Sequence, residues 1–84
     1  MYQYEFKPQA VEDLKKLPKD IQKKIIKKLE YFLSANDPVA FADILINFSI
    51  GQYRFRIGDY RVIFDLEDSK IVILTLGHRK QIYR

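Results

Sequence analysis

Four arginines, Arg54, Arg56, Arg61 and Arg79, are the side chains best suited to do chemistry. Three of them fall in a stretch that reads as a β-hairpin. Residues 52–57 alternate polar and apolar, Gly58-Asp59 makes a two-residue loop in which glycine permits positive φ, and residues 60–66 form the return strand. Such a loop fixes the register: Ile57 against Tyr60, Arg56 against Arg61, Phe55 against Val62, Arg54 against Ile63, Tyr53 against Phe64. One face is then wholly apolar (Tyr53, Phe55, Ile57, Tyr60, Val62, Phe64). The other carries Gln52, Arg54, Arg56, Arg61, Ile63 and Asp65. Arg56 and Arg61 stand directly opposite, where like charges are destabilising within a cross-strand range of ~0.2–1 kcal/mol. A bound anion removes that repulsion and adds charge-assisted hydrogen bonds, and the planar guanidinium fork suits phosphate. Two readings stay open: a phosphate-gripping wall, or an ordinary solvated face whose arginines pair with Asp65 or a C-terminal acid.

His78 is the only histidine and the chain has no cysteine, so a His/Cys metal site has too few ligands; neither a metal nor a cofactor is expected. If the last strand continues past Leu76, His78 and Arg79 point to opposite faces, and Arg79, Gln81 and Tyr83 share one. His78 reads as a packed or capping imidazole, with general acid–base work as the second reading. Tyr83 is either an aromatic packed on the sheet or a phenol within the arginine cluster. Lys23, Lys24, Lys27 and Lys28 flank an apolar helical stripe and read first as its solvated face, second as an RNA or ribosome contact to which Lys80 is added.

The 84 residues are expected to form one domain, 1–84. A chain this short buries only ~60% of its unfolded surface. No apolar run approaches the ~20 residues that span a bilayer, and the first residues lack a signal-peptide layout, so a cytoplasmic location is expected and no membrane partner. The net charge of +4 is modest, but it is unevenly spread: residues 14–28 hold seven Lys and one Asp, and residues 51–84 hold five Arg and two Lys against four acids.

Residues 2–6 alternate as a strand, with Tyr2, Tyr4 and Phe6 on one side. Pro8 opens a short helix to about residue 17 that buries Ala10 or Val11, Leu14 and Leu17. Pro18 breaks it, and a second helix over 19–34 carries the stripe Ile21, Ile25, Leu29, Phe32, Leu33. Residues 39–46 suit either a short third helix or a loop packing Phe41, Ile44 and Leu45 inward. Residues 71–76 are apolar on both parities, as in a central strand. The order β-α-α-β-β-β predicts an α+β fold, two N-terminal helices packed on a mainly antiparallel four-stranded sheet.

The stretch Gly51-Gln-Tyr-Arg-Phe-Arg-Ile-Gly-Asp-Tyr-Arg-Val-Ile-Phe64, followed by Leu76-Gly-His-Arg-Lys-Gln-Ile-Tyr83, resembles the RelE/ParE toxin superfamily, as do LPKDIQKKI at the second helix start and the chain length. The resemblance implies a RelE-like α+β fold. In the RelE branch it implies an mRNA interferase of a type II toxin–antitoxin system, which cleaves messenger RNA in the ribosomal A site and is held inactive by a cognate antitoxin. Operator DNA is contacted only through the antitoxin complex. The family's catalytic positions fall on Arg54, Arg56, Arg61, Arg79 and Tyr83. Two departures stand out. Residues 42–50 are apolar where many relatives are basic and carry a glycine, and the chain ends one residue after Tyr83, without a further helix.

The implied reaction is attack by a ribose 2′-hydroxyl on the adjacent phosphate, with cations in place of a metal stabilising the phosphorane. Arg61 and Arg79 are the candidates for that, while Arg54 and Arg56 hold the phosphate. Arginine, with a pKa above ~12, is a poor base; tyrosine starts near ~10 and histidine near ~6.5. The resemblance favours Tyr83 as base, the intrinsic chemistry His78. The alternatives are a ParE-like inhibitor of DNA gyrase and a non-catalytic module that only binds antitoxin and operator. The nuclease reading requires the four guanidiniums to share one hollow; it fails if they are scattered over separate surfaces or if each is locked to a carboxylate of the chain.

Overall fold

The computed structural model describes residues 2–46 and 49–82. Strand β1 (Gln3–Phe6) leads into helix α1 (Pro8–Lys15), which has Pro8 in its first turn, where the missing N–H is no loss. Ala10 is the helix's buried residue. Pro18 ends α1 because it has no N–H to donate and its ring would strike the carbonyl one turn back. Instead it precedes α2 (Lys19–Leu33), and the Gln22 side chain donates to the Leu17 carbonyl oxygen at 2.8 Å. Ile25, Leu29 and Phe32 form the buried stripe of α2, with Ile21 and Leu33 partly buried beside them.

The chain beyond α2 is neither a third α-helix nor an inward-packed loop. A single 3₁₀ turn (Pro38–Phe41) is followed by a two-residue strand, β2 (Asp43–Ile44), so the sheet has five strands rather than four. The reason is the outer edge of the next strand, whose backbone groups need partners: Asp43 pairs with Arg54 and Ile44 with Tyr53, and the Leu45 N–H donates to Gln52 O at 2.9 Å. Ile44 is 74% exposed, against the expectation that it packs inward, while Phe41, though 45% exposed, stacks on the core ring Phe32 with centroids 5.1 Å apart.

Strands β3 (Tyr53–Ile57), β4 (Tyr60–Glu67) and β5 (Lys70–His78) complete the sheet in the order β1-β5-β4-β3-β2, antiparallel except for β1 beside β5. The β3–β4 register is the one set by the loop length, with Gly58 at φ 59°. β5 lies inside the sheet between β1 and β4, and in keeping with its two-sided apolarity Ile71, Val72 and Ile73 are all buried. The apolar hairpin face packs beneath α2, where Phe32 stacks on Phe55 (ring centroids 4.5 Å apart) and Phe55 on Phe64 (4.4 Å).

The opposite face is not uniformly solvated. Ile63 is fully buried there, roofed by Gly51, whose φ is 149°. A Cβ on Gly51 would lie 2.5 Å from Ile63 Cγ2 and 3.1 Å from Leu74 Cδ1. Asp65 and Gln52 lock this loop down: the Gln52 N–H donates to Asp65 Oδ1 at 2.9 Å, and Gln52 Oε1 accepts from the Leu66 N–H at 3.0 Å.

Candidate active site

The hairpin register places Arg56 directly opposite Arg61, with Gly77 of β5 on the other flank of Arg61. Glycine there leaves no side chain beside Arg61 on that side. Arg54 lies two residues from Arg56 on the same face. Arg79 reaches this end of the sheet through its backbone: its N–H donates to Asp59 O at 2.8 Å, tying the residue to the hairpin loop. The fold therefore brings Arg56, Arg61 and Arg79 around one structural feature, the Gly58-Asp59 turn.

Their side chains have partners within the chain, as the second reading of the sequence allowed, although the acids are not the ones it named. Asp43 Oδ2 accepts from Arg54 Nη2 at 2.9 Å and from Arg54 Nε at 3.2 Å, and it lies 3.1 Å from Arg56 Nε. One carboxylate oxygen thus serves two guanidiniums. Arg79 Nε is 3.7 Å from Asp59 Oδ1. Arg61 Nη1 donates to the carbonyl oxygens of Gly58 and Tyr60, both at 2.9 Å. The acid named in advance, Asp65, is occupied by the Gly51 loop instead. Asp43 was missed because it sits in an apolar stretch; the signal available was that it is the one charged residue among 39–50.

His78 lies elsewhere. It pairs with Tyr60, with rings edge to face at 5.4 Å, and so shares the helix side of the sheet rather than the arginine side. Its Nδ1 accepts the Lys80 N–H at 3.1 Å, which leaves Nε2 to carry the proton of the neutral ring. It lines a hollow of about 280 Å³ with Asp13, Lys16, Thr75 and Gln81. Asp13 is itself engaged there by the Thr75 hydroxyl at 2.6 Å and the Leu76 N–H at 3.2 Å. This is the capping imidazole of the first reading. Past His78 the strand does not continue: the Gln81 and Ile82 N–H groups both donate to His78 O, at 2.8 and 3.0 Å, and form a turn. The alternation that would line up Arg79 with Gln81 and Tyr83 is absent for that reason, and Tyr83 lies outside the described residues.

The α2 lysines divide. Lys24, Lys27 and Lys28 line a hollow of about 550 Å³ with Tyr31, Arg56, Ile57 and Gly58. Lys23 borders a separate depression with Gln22, Ile26, Lys27 and Glu30. Lys28 Nζ sits 4.9 Å from the Tyr31 ring centroid, a cation–π contact that orders it. Lys80 is exposed in the C-terminal turn. Among the described residues, no cluster of His, Cys, Asp and Glu has the makings of a metal site, and no helix is long and apolar enough to cross a membrane.

The profile of the family described as the ParE toxin of type II toxin–antitoxin systems matches residues 4–83. The chain belongs to that family. This toxin is also similar to solved structures of the RelE/ParE superfamily. The RelBE2 toxin–antitoxin complex of Mycobacterium tuberculosis matches at 30% identity and TM-score 0.81, over 93% of this chain and 98% of that one. The archaeal RelE–RelB complex of Pyrococcus horikoshii matches at 31% identity and TM-score 0.72, over 95% and 97%. The isolated E. coli RelE toxin, at 20% identity and TM-score 0.73 over 99% and 92%, shares the fold. No curated protein sequence gives a significant match.

Proposed function

We propose that this toxin is a ribosome-dependent mRNA endoribonuclease that works with arginines instead of a metal ion and is silenced by a cognate antitoxin. The observation that carries the reading is the direct opposition of Arg56 and Arg61 beside a turn to which Arg79 is also tied. Stability alone does not favour two guanidiniums at one cross-strand position. The relatives at 30 and 31% identity are named RelBE2 and RelE–RelB, and both were solved bound to antitoxin, which supports the partner.

In this mechanism Arg54 and Arg56 hold the phosphodiester, and Arg61 and Arg79 face the charge that builds on the phosphorane. The ribose O2′ bonds to phosphorus as the P–O5′ bond breaks, giving a 2′,3′-cyclic phosphate and a 5′-hydroxyl. The O2′ proton passes to the phenolate oxygen of Tyr83, the base assigned by family resemblance, leaving a phenol, and O5′ takes a proton from solvent. His78, on the far face with Nδ1 already engaged, is the weaker base candidate. Lys24, Lys27 and Lys28, in the hollow that Arg56 borders, contact the RNA or ribosome backbone; Lys23 and Lys80 stand apart from that hollow.

The Arg56–Asp43 and Arg79–Asp59 contacts involve largely exposed guanidiniums and are worth roughly 0–1 kcal/mol each, whereas the Arg54–Asp43 contact is part-buried and doubly hydrogen-bonded. A phosphate, with more acceptor oxygens than one carboxylate, can form charge-assisted hydrogen bonds to several of these guanidiniums at once and so compete for them. The same carboxylates favour a second reading, a gyrase-directed or purely binding toxin in which the guanidiniums are structural. Induced expression with primer extension on a reporter message separates the two. Translation-dependent cuts within codons that vanish in Arg61→Ala and Arg79→Ala support the nuclease. Growth arrest that survives both substitutions, with altered DNA supercoiling and no cuts, refutes it.

A further inference from the structure

Asp43 lies between the guanidiniums of Arg54 and Arg56. One of its oxygens lies within 3.2 Å of three guanidinium nitrogens on two neighbouring arginines, the geometry of an anion held between two forks. Its carrier is weakly held. β2 has only two paired residues and one further backbone bond from Leu45, and Ile44 is 74% exposed and Ile46 97%, so drawing Asp43 aside exposes chiefly the half-buried Ala42 and Leu45. Neither arginine is deeply buried: the Arg56 side chain is 62% exposed and that of Arg54 26%.

From this geometry we infer that Asp43 is a positioning residue that acts as an internal substitute for the RNA phosphate. It holds Arg54 and Arg56 converged on one anion position, and RNA must displace it to dock. The inference rests on the nuclease reading, since it assumes that this arginine pair grips RNA. Asp43 therefore weakens intrinsic RNA affinity, and this toxin carries its own brake.

The test is binding of a short single-stranded RNA, methylated at every 2′-hydroxyl so that it cannot be cleaved, followed by fluorescence anisotropy across a salt series. Asp43→Asn is compared with Asp43→Glu, which keeps the charge, and with Asp68→Asn in the β4–β5 turn, which changes net charge equally. Asp43→Asn should bind about three- to tenfold more tightly than the parent, the loss of its two arginine pairs. Its log affinity should also fall more steeply with log salt, by about one added phosphate contact. Asp43→Glu should restore the parent affinity, and Asp68→Asn should stay near it. In an Arg54→Ala/Arg56→Ala background the effect of Asp43→Asn should vanish while overall affinity drops. If Asp43→Asn matches Asp68→Asn or binds more weakly, with the double arginine variant still impaired, the brake is refuted and the nuclease reading stands. If the double arginine variant binds RNA as the parent does, the arginine pair does not grip RNA and both ideas fall. Thermal melts of each variant establish that it is folded.

Discussion

Arg61→Met tests the catalytic role proposed for Arg61 separately from its place in the fold. On the stability side, the substitution removes a guanidinium standing directly opposite Arg56, worth up to ~1 kcal/mol of relief. It also removes two hydrogen bonds from Nη1 to the Gly58 and Tyr60 carbonyls. Those carbonyls lie at a surface turn, where water replaces the lost donor, so the loss is at the low end of the usual ~0.5–1.5 kcal/mol for each bond. Gain and loss nearly cancel, and the folding free energy should change by no more than about 0.5 kcal/mol, or ~2–4 °C in melting temperature at this chain length. On the catalytic side, a cation aimed at developing oxyanion charge contributes about 2.7–4 kcal/mol, so the cleavage rate should fall by ~10²–10³. Urea titration with a fixed m-value gives the first quantity, and single-turnover cleavage on programmed ribosomes gives the second. A cleavage rate within a factor of a few of the parent means that Arg61 faces no transition-state charge. A loss of more than about 1.5 kcal/mol of stability means that its role is structural after all.

Gly51→Ala should cost roughly 2–4 kcal/mol, because its Cβ would press to 2.5 Å from Ile63 Cγ2 in a positive-φ conformation; an unchanged urea midpoint contradicts the tight roof over Ile63. Phe55→Ala removes a fully buried ring stacked on both Phe32 and Phe64, at about 3–5 kcal/mol, enough to leave much of so small a domain unfolded at 37 °C by circular dichroism. Glu5 has its carboxyl pKa held below 4.5, chiefly by the Lys70 hydrogen bond and then by the charges of Lys70 and Lys7. A depressed carboxylate pKa stabilises the fold above the unfolded value and loses that effect as pH falls through the folded one. The melting-temperature gap between parent and Glu5→Gln should therefore be present at pH 7 and close below pH 4.5; a gap that persists in acid shows that the side chain acts through packing.

The hairpin was legible in the sequence because a glycine-containing two-residue loop and a strict apolar alternation leave one register, so the Arg56–Arg61 opposition could be read before any coordinates. The α2 stripe was equally legible, since spacings of three and four repeat from Ile21 to Leu33. Pro18 fixed the break between the helices through its missing N–H. Around residues 39–50 no period guides the reading, and which backbone groups find partners there depends on the edge of β3, a strand that follows them in sequence. That is why the fifth strand and the Asp43 contact to two arginines were not foreseen.

The C-terminal motif shows the same division. Its residue types, Gly77-His78-Arg79, are plain in the sequence, but a period of two holds only while the strand lasts. The fold ends β5 at His78 and folds the next residues back onto its carbonyl, which sets Arg79 against the hairpin loop and His78 on the opposite face. Local chemistry in this protein, from turns and helix breaks to the apolar face of each element, follows from short-range sterics and burial, which are written residue by residue. The pairing of charges does not: a carboxylate on an edge strand meets two guanidiniums from the next strand only once the sheet has assembled, because electrostatic contact depends on distance in space and not on separation along the chain.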